Sequence, residues 1–280
     1  MNSIESLLDT LVSSDWYTPS NIPGVTFLKT TERLARTPMM YESRIIIVGR
    51  WEKKWYLNGK TLHYNADNYL ILSIPMSFEC EANEDVLALM IDINLKLLWE
   101  VISDFPEIEK WSWDIEEAVN AIPLKPDLKN SIIRLLEVAS SKEESKILWE
   151  WILKEILYRI LKDKHGWALL ALYEKGWKFA RFAQLIHHIN NNYASQYTLG
   201  KLSSDMAMSE TSLFRYFKKY TSQSPLQYIK NIRLQKARDL IMKKTFTLNE
   251  ISKKVWYKSV SQFSREFHNF FWVTPKKAEK

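Results

Sequence analysis

Two stretches near the end of the chain carry almost the same pattern. Residues 198–217, TLGKLSSDMAMSETSLFRYF, are matched by residues 247–267, TLNEISKKVWYKSVSQFSREF. The opening positions align with an offset of 49 residues, and the later ones with an offset of 50. Each copy has the spacing of a short helix, a tight turn and a second helix in which one arginine stands among apolar residues. The pattern predicts two helix-turn-helix motifs, whose second helices enter a DNA major groove.

The basic residues are concentrated around this repeat. Residues 180–280 hold 18 Lys and Arg against 6 Asp and Glu, whereas the remainder of the chain holds 21 against 27. The net charge of +6 therefore combines a strongly basic C-terminal segment with an acidic N-terminal one. A clustered positive field attracts the phosphate backbone of nucleic acids, although a basic surface can also be merely solvated. Its coincidence with the duplicated motif favours double-stranded DNA as a partner.

Length and composition limit the class of protein. A chain of 280 residues with 46% hydrophobic residues is long enough for two domains with packed cores. The sequence has no run of 18 or more apolar residues, so we expect no membrane span. The lone Cys80 excludes an internal disulfide framework and a cysteine-based zinc cluster. Residues 1–10 lack the pattern of a secretion signal, and we therefore expect a cytoplasmic protein.

The N-terminal half changes from helical to strand spacing. Residues 1–20 have helical spacing, and short apolar runs follow between residues 25 and 93. Turn-forming residues separate these runs, and Asn58-Gly59 in particular predicts a β-hairpin. Several short strands at this spacing are typical of a small β-sandwich or β-barrel. The predicted strands are 44–48, 54–57, 69–72 and 86–90.

Helical spacing returns between residues 95 and 164. We interpret this part as helices that flank the strands, where they either form a homodimer contact or only cover the core. A junction between domains is expected within residues 165–176, and a basic helical segment begins at residues 179–193. One predicted stripe comprises Leu128, Ile132, Leu135, Leu136 and Ala139, and another comprises Ile147, Trp151, Lys154 and Tyr158.

Further segments connect the two motifs into a larger pattern. Between them lie 224–228, SPLQY, and 233–240, RLQKARDL, and after them comes Thr274-Pro275. With these segments, residues 180–277 resemble the AraC/XylS family of bacterial transcription regulators. The N-terminal half resembles the cupin-like sensor domains of that family, through 38–42, PMMYE, and 69–75, YLILSIP.

The resemblance implies an α+β chain of two domains. Residues 1–170 would form a cupin-like β-barrel with flanking helices, which acts as the sensor. Residues 178–280 would form an all-α DNA-binding domain in which one long helix, residues 225–244, joins the two helix-turn-helix motifs. That helix would be roughly 30 Å long, close to the spacing of about 34 Å between successive major-groove faces. We expect Leu226, Ile229, Leu234, Ala237, Leu240 and Ile241 to pack it onto both motifs.

The second helix of each motif supplies the expected DNA-binding residues. Leu213 and Phe217 have the spacing of core residues, which leaves the opposite side of that helix for the groove. Arg215 and Arg265 are the strongest candidates, because arginine can bond a guanine edge bidentately, although it can equally bind a phosphate. The candidates of the first motif are Ser209, Glu210, Thr211, Phe214, Arg215, Lys218 and Lys219. Those of the second are Lys258, Ser259, Val260, Ser261, Gln262 and Arg265, and Lys253 and Lys254 are expected on phosphates.

The scarcity of glycine is a departure from the family pattern. The chain has 6 glycines and 12 tryptophans, and residues 201–280 contain no glycine. Average usage of about 7% predicts roughly 20 glycines in a chain of this length. The resemblance places Trp256, Trp272 and Trp51 where related chains have glycine. We hypothesise that UGA codons read as glycine were translated as tryptophan; the alternative is a divergent member with true bulky residues. The candidates are Trp51, Trp55, Trp99, Trp149, Trp151, Trp256 and Trp272.

The N-terminal half offers weaker functional signals. Its two histidines, His63 and His165, are about a hundred residues apart, so we expect no metal site and no cofactor. A small-molecule effector would bind inside the barrel. The candidate ligand-binding residues are Tyr41, Arg44, His63, Tyr69 and Phe78.

The expected function is sequence-specific transcription regulation, controlled through the N-terminal half. Because the family contains more activators than repressors, we expect an activator that could contact RNA polymerase. One alternative is control by a protein partner rather than by a small ligand. A cupin-type enzyme with a nucleic-acid-binding tail is a weaker alternative, since it needs clustered metal ligands or a nucleophile with a base, and the sequence offers neither.

Overall fold

The computed structural model describes residues 3–13, 16–31, 33–57, 60–82, 85–105, 121–173, 178–242 and 244–278. The chain divides into two compact units. The first comprises Met1–Arg36, Glu42–Ile74 and Cys80–Ala180, and the second comprises Thr37–Tyr41, Pro75–Glu79 and Arg181–Lys280. Two short strand segments from the first half of the sequence therefore group with the second unit, which a division at a single point of the chain does not anticipate.

The strands form two sheets. The larger has the order β1-β2-β9-β4-β7-β10, and the smaller has the order β3-β8-β5-β6. Strand pairing is antiparallel between β1 and β2, β2 and β9, β4 and β9, β4 and β7, β7 and β10, and β5 and β6. The strands are β1 (Trp16–Pro19), β2 (Val25–Thr30), β3 (Leu34–Tyr41), β4 (Arg44–Arg50), β5 (Lys53–Leu57), β6 (Lys60–Tyr64), β7 (Asn68–Leu72), β8 (Met76–Ala82), β9 (Val86–Asp92) and β10 (Ile122–Pro123).

The centre of the larger sheet is almost wholly apolar. In β4, Ile46 pairs with Leu70 on one side and with Met90 on the other. β-branched residues suit this pleated, two-sided burial. Helix α1 (Ile4–Leu11) packs closely on this strand, because a Cβ atom built on Gly49 would lie only 2.6 Å from the Leu8 side chain. Glycine at that position lets the helix approach the sheet.

All four predicted apolar runs are strands, as β4, β5, β7 and β9. The strands around the predicted hairpin pair with Leu57 opposite Lys60, while Asn58-Gly59 themselves lie outside the described residues. The helical prediction for residues 1–20 was wrong beyond Leu11. Trp16–Pro19 is instead an edge strand whose pairing with β2 overrides its local pattern, and its proline is tolerated at the sheet edge.

Helices cover the first unit at α2 (Leu95–Asp104), α3 (Pro126–Ala139), α4 (Lys142–Leu161) and α5 (Trp167–Tyr173). The predicted stripe on α3 is buried along its whole length, which confirms it. The predicted stripe on α4 is not a core face, since Ile147 and Trp151 are 72% and 73% exposed. The core face of α4 lies one step around the helix, at Leu153, Ile156, Leu157 and Ile160.

The second unit contains the predicted pair of helix-turn-helix motifs. Its helices are α6 (Lys178–Asn191), α7 (Leu199–Asp205), α8 (Glu210–Thr221), α9 (Pro225–Met242), α10 (Leu248–Lys254) and α11 (Val260–Phe271). The first motif is α7 with α8, and the second is α10 with α11. The joining helix α9 has 18 residues, so it is about 27 Å long and slightly shorter than predicted. In the segments that the structure describes, no helix is long and apolar enough to cross a membrane.

Helix α9 belongs to both cores of this unit. Towards its start, Tyr228, Ile229 and Ile232 are buried, and the Tyr228 ring meets the edge of Phe217 from α8 at a centroid distance of 5.6 Å. Its later residues join the core of the second motif, which contains Leu234, Ala237, Ile241, Ile251, Val255, Phe263, Phe267 and Phe271. The predicted packing was wrong for Leu226, which is 50% exposed because it lies away from the face of α9 that carries Tyr228, Ile229 and Ile232.

Replacing Ile232 by alanine tests this shared packing. Because Ile232 is fully buried, the cavity should lower the free energy of unfolding by about 2–5 kcal/mol. Leu226→Ala in the same helix is the matched control and should change it by less than about 0.5 kcal/mol. Urea unfolding followed by circular dichroism measures both variants. Equal losses in the two variants would contradict the packing described for α9.

Candidate nucleic-acid interface

Each helix of the two motifs begins at a hydroxyl cap. Ser209 accepts a hydrogen bond from the amide of Ser212 at 3.2 Å, and Ser259 accepts one from the amide of Gln262 at 3.2 Å. A side-chain oxygen at this position satisfies an amide that the helix leaves unpaired. The preceding helices use Thr198 and Thr247 in the same way. Ser209 and Ser259 are therefore helix caps, and both recognition helices, α8 and α11, begin at equivalent positions.

Both motifs have the same hydrogen bonds in the turn between their two helices. The amide of Met208 donates to the Ser203 carbonyl oxygen at 3.0 Å, and the amide of Tyr257 donates to the Ser252 carbonyl oxygen at 2.8 Å. Ser203 and Ser252 are buried, and their hydroxyls donate to carbonyl oxygens three residues earlier in the chain. The second motif has one additional residue between its turn and its recognition helix, which explains the change of offset from 49 to 50.

The first recognition helix has one buried face and one exposed face. Leu213 and Phe217 are fully buried, as predicted, and Phe182 of α6 packs against Phe217 with a ring-centroid distance of 5.0 Å. Every candidate of this motif is exposed, and the Lys218 ammonium lies 6.0 Å from the centre of the Phe214 ring. The exposed candidates are Ser209, Glu210, Thr211, Phe214, Arg215, Lys218 and Lys219.

The second recognition helix repeats this arrangement. Phe263 and Phe267 are fully buried and pack edge-to-face at 5.6 Å. Val260 is half-buried, so it offers less surface to a ligand than the other candidates. The exposed candidates are Lys258, Ser259, Ser261, Gln262 and Arg265. Contact of these residues with DNA stays a prediction.

Glu266 connects this helix to α9, and the sequence pattern did not single it out. It accepts hydrogen bonds from the Tyr257 hydroxyl at 2.9 Å and from the Gln262 amide at 3.4 Å, and the Lys230 ammonium of α9 pairs with it at 3.2 Å. Burial acts against its ionised form, but the hydrogen bonds from Tyr257 and Lys230 outweigh burial and hold the pKa of Glu266 below its usual range. The carboxylate therefore stays charged and links the connector to the second recognition helix.

Arg233 has a structural role that its place in the family-like pattern did not reveal. Its guanidinium donates to the carbonyl oxygens of Tyr193 and Ser195, both at 2.8 Å, and lies 4.4 Å from the centre of the Trp256 ring. Burial lowers the pKa of Arg233. The side chain fastens the segment after α6 to α9, and the fork geometry of arginine allows both bonds at once.

The structure separates the five candidate ligand-binding residues of the N-terminal half. Tyr41 and Phe78 are buried and stack with ring centroids 5.1 Å apart. Arg44 is paired with Asp92 at 2.9 Å. His63 has an exposed side chain on β6, and the alternation of the strand turns Tyr64 inward.

Tyr69 is buried, but it faces the helices rather than the interior between the sheets. It lines a cleft of about 270 Å³ whose other walls come from α3 and α4 and from the residues next to them. Burial raises the pKa of Tyr69 above its ordinary value. The cleft is also lined by Pro123, Lys125, Asp127, Leu128, Tyr158, Arg159, Lys162 and Asp163.

Lys53 is the buried cation that the sequence analysis missed. It is 1% exposed, on the same face of β5 as the fully buried Trp55 and opposite Tyr64 of β6. Burial lowers the pKa of Lys53. Lys54 pairs with Glu81 at 3.9 Å, whereas Lys53 has no ion pair among the described residues. Its two-residue spacing from Trp55 could have indicated this position.

The described ranges contain no group of three His, Cys, Asp or Glu side chains that could hold a metal ion.

Two family models match the chain. One for the AraC-type transcriptional regulator N-terminus covers residues 21–168, and one for a helix-turn-helix domain covers residues 202–280.

Curated relatives match part of the chain. MtrA of Neisseria gonorrhoeae is 28% identical over 106 residues, which are 38% of this chain and 35% of that protein. The lactose operon transcription activator of Staphylococcus xylosus is 28% identical over 89 residues, 32% of each. GadX of Escherichia coli (strain K12) is 34% identical over 88 residues, 31% of each. The chain spans about a third of the length of these relatives.

Solved structures of ToxT from Vibrio cholerae are similar over most of the chain. An apo structure of a ToxT point variant has a TM-score of 0.63 at 11% identity, covering 90% of this chain and 96% of that one. Wild-type ToxT with a bound unsaturated fatty acid has a TM-score of 0.59 at 13% identity, covering 94% and 96%. This likeness confirms the predicted α+β fold, with a strand-rich N-terminal domain and a helical C-terminal domain. Because the N-terminal family model alone spans more than half of the 280 residues, the chain belongs to the AraC-type transcriptional regulators.

Proposed function

We propose that the protein is a sequence-specific DNA-binding regulator of transcription whose two recognition helices occupy adjacent major grooves of one duplex. The observation that carries this proposal is the duplicated motif, with equivalent caps, turns and exposed basic faces on α8 and α11. The connector is about 27 Å long, which is of the same order as the spacing of about 34 Å between successive major-groove faces. The expected cytoplasmic location stays a prediction.

Base contacts and phosphate contacts fall on different residues in this proposal. Arg215 and Arg265 lie on the exposed faces of α8 and α11, where a guanidinium can bond the O6 and N7 atoms of guanine. Lys219, Lys253, Lys254 and Lys258 are exposed on the same unit and supply phosphate contacts. Phosphate contacts hold the register of the protein on the duplex and carry no sequence information themselves.

Selection of bound DNA from a random pool tests the two-groove arrangement. We expect a site of two half-elements about one helical turn apart. Arg215→Ala should relax the preference in one element and Arg265→Ala in the other, each by about 1–3 kcal/mol of discrimination. Arg33→Ala, an exposed arginine of the first unit, is the control and should leave both elements unchanged. One contiguous element that neither recognition-helix change affects would contradict the proposal.

The lysines are tested by the salt dependence of binding. Lys219→Ala should weaken binding to all duplexes alike and reduce the slope of log affinity against log salt by about 1, without altering the selected sequence. Fluorescence anisotropy at several salt concentrations measures that slope. A changed sequence preference in Lys219→Ala would assign this residue to a base rather than to a phosphate.

We further propose that the N-terminal half responds to a small molecule with a carboxylate group. Lys53 supports this proposal: its side chain is 1% exposed, burial lowers its pKa and the nearby Cys80 thiol only partly opposes that effect, so a bound carboxylate would favour the charged ammonium form. A carboxylate that reaches it would supply the missing charge, and Trp55 and Tyr64 would supply apolar walls. The likeness to ToxT with its bound fatty acid is one of fold, and Lys53 itself carries the proposal.

Thermal shift with oleate, and with oleyl alcohol as the uncharged match, tests the effector proposal. Oleate below its micellar concentration should raise the Tm, and the alcohol should not. Lys53→Met should abolish the oleate response, whereas Lys54→Met, which removes the partly exposed neighbour, should retain it. A response that survives Lys53→Met, or an equal response to the alcohol, would overturn the carboxylate site.

Regulation through a protein partner is the second candidate. The exposed Ile147, Leu148 and Trp151 on α4 favour it, since they form an apolar surface on the first unit. Homodimerisation through the same helix and contact with RNA polymerase would use such a surface as well. In keeping with the family, we propose activation rather than repression and no enzymatic activity.

A further inference from the structure

Four tryptophans hold a backbone conformation that favours glycine. The φ angles are 71° at Trp16, 62° at Trp51, 66° at Trp256 and 59° at Trp272. Among the described residues other than glycine, the remaining positive φ angles belong to Ala207, Ser222 and Lys244. The left-handed region brings a Cβ atom too close to the backbone, so bulky side chains are rare there. Tryptophan is therefore concentrated where the backbone tolerates it least.

The internal repeat shows that the fold itself requires this conformation. Ala207 and Trp256 occupy the same place in the two motif turns, and their φ angles are 49° and 66°. Ser222 and Trp272 both end a recognition helix in the left-handed conformation. Their amides donate to the carbonyl oxygen four residues earlier, which is the usual C-terminal helix cap and the usual place of glycine. The second motif thus has its largest side chains where the first has small ones.

The side chains of three of these tryptophans add little to the core, whereas Trp16 is half-buried. Trp51, Trp256 and Trp272 are 50%, 42% and 54% exposed. Trp256 does lie under the Arg233 guanidinium, but two carbonyl oxygens already hold that group. By contrast, Trp55 is fully buried and meets the Tyr64 ring edge-on at 5.3 Å. Some tryptophans of the chain, such as Trp55, therefore fill the core. Trp51, Trp256 and Trp272 do not, and what sets them apart is their left-handed backbone conformation.

We propose that Trp16, Trp51, Trp256 and Trp272 are glycines in the protein made by its own cell. Their codons would be UGA, which that cell decodes as glycine and which a different genetic code translates as tryptophan. The substitution raises glycine from 6 to 10 and lowers tryptophan from 12 to 8, so it accounts for part of the shortage and part of the excess, and for all four left-handed tryptophans. It rests on backbone conformation and composition, independently of any DNA or effector binding.

The structure also corrects the broader list of candidates. Trp55 is removed, because its ring fills the core. Trp99, Trp149 and Trp151 lie inside α2 and α4, where helical φ angles suit tryptophan and glycine weakens the helix. Trp16, which was not among the candidates predicted from the sequence, is added to them because of its positive φ angle.

The codons are the first test. UGA at all four positions is expected, together with a tRNA of anticodon UCA that glycyl-tRNA synthetase charges in an aminoacylation assay. Peptides from the native protein should carry glycine at these positions by mass spectrometry. UGG codons, or native peptides that carry tryptophan, would overturn the proposal for the positions concerned.

The second test compares the chain as written with the variant that carries Trp16→Gly, Trp51→Gly, Trp256→Gly and Trp272→Gly. Relief of strain at four positions should raise the Tm by roughly 5 °C or more. The matched control, Trp55→Gly with Trp167→Gly, removes two buried rings and should lower the Tm. A lower Tm in the fourfold variant would contradict the proposal, and neither readout depends on DNA.

Discussion

The second unit depends on one helix having two hydrophobic faces in succession. The first turns of α9 complete the core of the first motif, and its later turns complete the core of the second. A helix shared in this way cannot rotate in one motif without disturbing the other. The two motifs are therefore joined by a packed helix rather than by a flexible linker. The packing of α9 in the two cores determines the spacing between α8 and α11. Arg233 and the Glu266 contacts reinforce it with polar bonds.

The first unit is held by a different principle. Its central strands, β4 and β9, are buried at almost every position, and helix α1 packs against both. Among the buried polar side chains of this unit, Lys53 is a lysine, whereas Thr18, Thr30, Ser43 and Ser73 carry small uncharged hydroxyl groups. Proteins bury an ammonium group only where it is compensated or where its function needs it. The contrast between Lys53 and the ion-paired Lys54 is therefore more informative about function than the aromatic residues on the same sheet.

Local periodicity predicted the parts of the fold that depend on neighbours in sequence. The buried stripe of α3, the core residues Leu213 and Phe217 and the strand at Ile46 follow from spacing and residue type. The missed features depend on partners far away in the chain. Trp16–Pro19 is a strand because β2 lies beside it, and Glu266 is charged because Lys230 and Tyr257 reach it. Periodicity alone did not decide which face of β6 carries His63, whose side chain is exposed.

The bond between Gln262 and Glu266 affects how strictly the second motif can discriminate. A glutamine amide can bond adenine bidentately, but the Gln262 amide already has an acceptor within its own helix. A base must displace this internal competitor, so the net gain on choosing the correct base is smaller than for an unengaged amide. Promoters with imperfect second half-sites would consequently lose little occupancy.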